Sequence, residues 1–164
     1  MAFTVRKLAY RPWPVTVALF EADDAGNVSE VKNTFVAHFK PFTEDEFEAL
    51  RQAANAAHPA APDSLAPDPD ENTPMPIVLR RNADLFCGVI VGWGPEVRDE
   101  HGVPLPFSPA ALSALVTGPD GAAVSVGIHK AIVQIRFGAA PEKNVETSPA
   151  PGPIPSAGGA APTS

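Results

Sequence analysis

The side chains from which this sequence could build chemistry are four histidines, one cysteine and a run of acids. His38, His58, His101 and His129 lie far apart, with no HxH or HExxH pairing, so the spacing gives zinc little support. His129 sits beside an apolar helical stripe, where a hydrogen-bonded structural imidazole is the expected state. Asp63, Asp68, Asp70 and Glu71 have calcium-binding character, but the prolines among them oppose a tight loop and the EF-hand glycine is missing. Cys87 has no neighbouring Lys, Arg or His to stabilise a thiolate and reads as a small packing residue. No GxSxG, SxxK or phosphate-binding glycine loop occurs; Gly88-Val89-Ile90-Val91-Gly92-Trp93-Gly94 lacks the pattern and the lysine. The expectation is a protein without catalytic residues, metal or cofactor.

Composition narrows the class further. The 164 residues carry a net charge of −7 and no basic run longer than Arg80-Arg81, which argues against nucleic acid and anionic membrane as partners. No signal peptide or spanning segment is read at the start, and one cysteine cannot close an intramolecular disulfide, so a cytoplasmic location is expected. Prolines cluster between Pro59 and Pro76 and again from Pro141 onward, which removes both stretches from regular structure. The tail segment Pro149-Ala150-Pro151-Gly152-Pro153 lacks flanking basic residues and reads as a spacer rather than a polyproline ligand.

The elements left to position any site are few. Val15–Glu21 and Val31–Phe39 flank the turn Asp23-Asp24-Ala25-Gly26-Asn27. The second run alternates, with Val31, Phe35, Ala37 and Phe39 on one face and Lys32, Thr34 and His38 on the other, as a half-buried hairpin requires. Two strands alone are marginal, and residues 3–10 are the expected third. Thr43 and Glu46 form a capping-box pair and Phe42 and Phe47 a staple, which predicts a helix to about Ala57. Residues 76–93 read as mainly helical, with Val78, Leu85, Val89 and Trp93 on one face, although Val89-Ile90-Val91 also suits a short strand. Asp99-Glu100-His101-Gly102 is a turn. Ser108 and Pro109 start another helix, and a last one runs from about Asp120 to Phe137 with Gly138 as its cap.

The class is therefore α+β. An N-terminal β-hairpin or small antiparallel sheet with a helix occupies residues 1–57, and a Pro/Asp-rich linker residues 58–74. A small helical C-terminal part spans residues 75–138, and a disordered Pro/Ala-rich tail residues 139–164.

One block is more specific than composition. Gly92-Trp93, Val97, Asp99-Glu100, Gly102, Pro104-Leu105-Pro106-Phe107-Ser108 and Ala111-Leu112, in that order, resemble the tail assembly chaperones of long-tailed bacteriophages and prophages. The resemblance is close from Gly92 to Leu112 and extends in outline from Arg11, where "RPWPV" opens the hairpin, to Asn144. The long Pro/Asp linker and the Pro/Ala extension depart from that pattern.

The resemblance implies a non-enzymatic assembly factor in the cytoplasm of a bacterial host. Such a factor coats the helical tape measure protein, keeps it soluble until tail tube protein displaces it, and is missing from the mature virion. It also implies self-association, and that this chain is the short form of a frameshifted pair. Trp93, Asp99, Gly102, Leu105, Pro106, Phe107 and Ser108 are then structural motif residues.

Part of the α-helical stripe Val124, Ile128, Ile132 and Ile135 is the expected contact for the partner, helix in groove. Burial statistics favour a competing reading in which the stripe is core against Leu112, Leu115 and Trp93. The hairpin's unpaired edge is the expected route to self-association. A minor tail protein or adaptor retained in the particle is the alternative function.

Overall fold

The computed structural model describes residues 2–5, 7–60 and 73–139. The bulk of the expected linker and of the expected tail lies outside the described residues. The elements are β1 (Arg11–Ala22), β2 (Val28–Phe39), α1 (Glu44–Ala57), α2 (Met75–Val89), β3 (Ile90–Trp93), α3 (Pro109–Thr117) and α4 (Gly121–Phe137). The fold is α+β, a three-stranded antiparallel sheet in the order β1-β2-β3 with four helices.

The hairpin is held in one register by its turn and by its pattern. The Asp23 carboxylate accepts from the backbone N–H groups of Ala25 and Asn27, and Gly26 takes a φ of 84° to close the loop. Val15 then pairs with Phe35, Thr16 with Thr34, Ala18 with Lys32 and Phe20 with Glu30. Because side chains alternate, Val15, Val17, Phe35, Ala37 and Phe39 all enter the core. Thr16, Ala18, Phe20, Lys32 and Thr34 share the opposite face, where the Thr16 and Thr34 hydroxyls meet at 3.1 Å.

The third strand is not the segment before β1. Residues 2–5 and 7–10 form no strand, and β2 pairs instead with β3, Ala37 opposite Trp93 and His38 opposite Gly92. The helix expected over residues 76–93 stops at Val89. Ile90 turns extended with its N–H still donating to the Phe86 carbonyl, and Lys40 N–H donates to the Val89 carbonyl. Trp93 therefore belongs to the sheet rather than to a helical stripe. β-Branched Ile90-Val91 gains more by closing the sheet than by continuing a helix interrupted by glycine.

Helix starts follow local chemistry. Thr43 Oγ1 accepts from Glu46 N–H while the Glu46 carboxylate accepts from Thr43 N–H, and the rings of Phe42 and Phe47 lie 5.4 Å apart. Ser108 Oγ accepts from Ala111 N–H with Pro109 in the first turn. Gly138 ends α4 in the left-handed conformation at a φ of 66°.

The boundaries expected at residues 57 and 75 coincide with the end of α1 and the start of α2. The two parts nevertheless share one core. Sheet residues Val15 and Phe39 join Phe47 of α1, Phe86 of α2, Leu112 and Val116 of α3, and Ile128 and Ile132 of α4 in a single cluster. α4 runs against β1, so the outer edge of the hairpin is covered at its middle rather than open for pairing.

Candidate functional site

The block from Gly92 to Leu112 is scaffold. Trp93 Nε1–H donates to the Leu105 carbonyl at 2.7 Å, and its ring meets Phe107 edge to face at 4.9 Å between centroids. The Asp99 carboxylate accepts from His101 and Val103 N–H, Gly102 takes a φ of 75°, and Arg98 pairs with Pro104 across the loop. This is the Asp23–Asn27 loop built a second time: each aspartate takes N–H groups two and four residues on, with glycine at the third. Leu105 N–H returns to the Val97 carbonyl, Pro106 is exposed, and Ser108 caps α3. The block leads from β3 into α3, which packs on α2 and α4, and none of the motif residues lines the groove or the cleft described below.

The apolar stripe of α4 is core. Val124, Ile128 and Ile132 are buried, and Ile135 packs half-buried against the same cluster. In this conformation the stripe offers a partner nothing, which corrects the contact assignment drawn from periodicity. Burying a branched side chain contributes roughly 1.5–3 kcal/mol, so withdrawing three of them from the core would cost about 4.5–9 kcal/mol, a large share of the roughly 5–15 kcal/mol that holds a domain folded.

The surface α4 does present is its other side. Val126 is 68% exposed, and Val133 and Phe137 are also open to solvent. Across from Val126 stands the outward face of the hairpin, where Phe20 is 74% exposed. Between them runs a groove of about 500 Å³. Its floor is made of small residues, Thr16 and Ala18 from β1 with Ala123, Gly127 and Ala131 from α4; Glu30, Lys32 and Lys130 stand around it. Small floor residues let a second backbone approach closely, and exposed Phe20 and Val126 supply apolar contact. The groove's titratable lining, Glu30, Lys32 and Lys130, pairs no nucleophile with a base.

A second cleft of about 420 Å³ lies among α1, α2 and α4, with Phe47, Leu85 and Ile132 in its lining and Arg51, Arg81, Arg136 and His129 around them. Its cations are engaged within the chain. Arg136 binds the Glu44 carboxylate through Nε and Nη2 and stacks on the Phe47 ring at 4.4 Å. Arg51 holds Glu48, lowering that carboxyl to about 2, and Arg81 donates to the His58 carbonyl. Burial lowers the His129 imidazole, whose Nε2–H donates to Asn82 Oδ1 while the ring meets Phe86 edge to face.

The remaining candidates stay separate. His38 stacks on Tyr10, His58 pairs with Asp84, and His101 lies exposed beside Glu100. Burial, with Asp84 adding to it, pushes the Cys87 thiol up, away from the thiolate a nucleophile needs. Among the described residues no three His, Cys, Asp or Glu side chains gather as metal ligands, and no single helix is long and apolar enough to cross a membrane. No family model, curated protein or solved structure matches the chain.

The groove residues were not singled out from the sequence. The available signal was in α4 itself, which has apolar residues beyond one stripe: Val126, Val133 and Phe137 lie off the Val124–Ile128–Ile132 line. A helix with more apolar surface than one core face uses leaves a second face to be covered.

Proposed function

We propose that this protein is a tail assembly chaperone of a long-tailed bacteriophage or prophage, which binds the tape measure protein in the host cytoplasm and keeps it soluble until the tail tube forms. The family comes from the Gly92–Leu112 resemblance. The observation that carries the binding role is the groove between the open sheet face and α4, with exposed Phe20 and Val126 at its sides and a floor of small residues. A long helix whose apolar stripe aggregates when bare is the kind of client such a groove fits. No bond is made or broken in this role, and no cofactor is needed.

Co-expression with the tape measure protein tests it. The wild-type chain raises the soluble fraction of that client and co-purifies with it, whereas Val126→Glu places a charge in the groove and loses both. A client equally soluble without the chain overturns the proposal. Mass spectrometry of purified virions separates it from a minor tail protein, since a chaperone is missing from the particle.

A further inference from the structure

We propose that the cleft among α1, α2 and α4 is a second binding site, which takes an acidic peptide segment: its carboxylate side chain enters among Arg51, Arg81 and Arg136, and an apolar neighbour covers Val133 and Phe137. The cleft and the groove share no lining residue. They flank the exposed crest that Val126, Val133 and Phe137 form along α4.

Charge singles this cleft out. The chain carries 12 Lys and Arg against 19 Asp and Glu, yet among the described residues the cleft is lined by three arginines and no acid. Glu44 and Glu48, the carboxylates that hold Arg136 and Arg51, stand outside the lining. Arg51 and Arg81 keep their partners in the chain and still bring positive charge to the cleft. Arg136 is fixed in place: its Nε and Nη2 donate to Glu44, and its guanidinium lies 4.4 Å from the centre of the Phe47 ring and 5.5 Å from that of Phe137. Neither bond uses Nη1, and a guanidinium already held loses little freedom when it takes a second carboxylate.

The apolar surface decides between a peptide and a free acid. Val133, in the lining, is 47% exposed, and Phe137, beyond the lining, is 73% exposed. A small carboxylic acid would fill the cleft and leave Phe137 bare. A peptide sets an acid in the cleft and its apolar neighbour over Phe137, which matches both the charge and the extent of the surface.

This site is independent of the chaperone reading, and the full chain without a client tests it. Fluorescence anisotropy with a labelled peptide alternating glutamate with leucine and phenylalanine is expected to show saturable binding that weakens as salt rises. Glutamine in place of glutamate in the peptide weakens it by roughly tenfold or more, the loss of a hydrogen bond to a charged group. Val133→Glu and Arg51→Gln each weaken it similarly, with circular dichroism unchanged because both side chains are about half exposed. Val126→Glu, which disables the groove, leaves peptide binding at wild-type strength. Glutamate and glutamine peptides that bind equally overturn the proposal, as does no binding at about 1 mM peptide. Loss of binding in Val126→Glu but not in Val133→Glu moves the peptide to the groove, and free phenylbutyrate competing as strongly as unlabelled peptide identifies a small-acid pocket; either result also overturns it.

Discussion

Gly127 and Thr16 meet backbone to backbone: a Cβ on Gly127 would stand 2.5 Å from the Thr16 carbonyl oxygen. That contact brings α4 onto the edge of β1 and forms the floor of the groove. Gly→Ala inside an ordinary helix gains up to about 1 kcal/mol. Here the added methyl must push α4 off the strand, and overpacking of this kind costs about 1–3 kcal/mol. Gly127→Ala is therefore expected to destabilise, read as a lower urea midpoint at unchanged slope.

Val126 and Ile128 lie two positions apart on α4 and are expected to respond in opposite ways. Val126→Glu sits at a solvent-facing position and leaves stability within about 0.5 kcal/mol of wild type. Ile128 is fully buried, and Ile128→Ala removes about 2–5 kcal/mol. Thermal melts of the two variants measure the difference; equal losses would mean that α4 has no free face.

The Trp93 indole is the donor to the Leu105 carbonyl. Trp93→Phe keeps an aromatic ring against Phe107 but leaves that carbonyl without its indole partner. A loss of about 1–3 kcal/mol is expected, combining the missing hydrogen bond and the smaller ring. Hydrogen exchange is expected to rise first at Val97 and Leu105, the amides around this loop.

His129 makes stability depend on pH. Burial lowers its imidazole below the ordinary histidine value, so the folded state binds fewer protons than the unfolded chain as acid is added. Its contribution is whole above the unfolded value of about 6.5 and is lost as pH falls from there through the lowered folded value. Denaturant unfolding from about pH 7 to pH 5 is expected to show this decline, and His129→Gln to flatten it.

What could be read in advance was whatever is local. The Thr43–Glu46 box, the Ser108–Pro109 start, the Gly138 cap and both Asp-x-x-Gly turns depend on neighbours within five residues, and all formed as expected. The alternation of Phe35, Ala37 and Phe39 likewise fixed the buried face of β2. What failed was long-range. Nothing near residues 3–10 distinguishes a third strand from a free segment, because the competitor for that position, Ile90–Trp93, lies across residues 61–72 in the sequence. The α4 stripe was legible as a stripe. Whether it faced a core or a partner depended on β1 and α2 arriving against it, which periodicity within one helix does not encode.

The third strand's origin also sets an order of events during synthesis. Chains grow at roughly 5–20 residues per second, and β1 and β2 leave the ribosome before β3 exists. Until Trp93 emerges, the hydrogen-bonding edge of β2 beside Ala37 has no ladder partner, and Phe39 lacks the α2 members of the core it later shares, Phe86 among them. The nascent hairpin therefore passes through an interval in which it is itself the sticky polypeptide, and the direct junction of α2 to β3, with no loop between Val89 and Ile90, ends that interval by delivering a helix and a strand together.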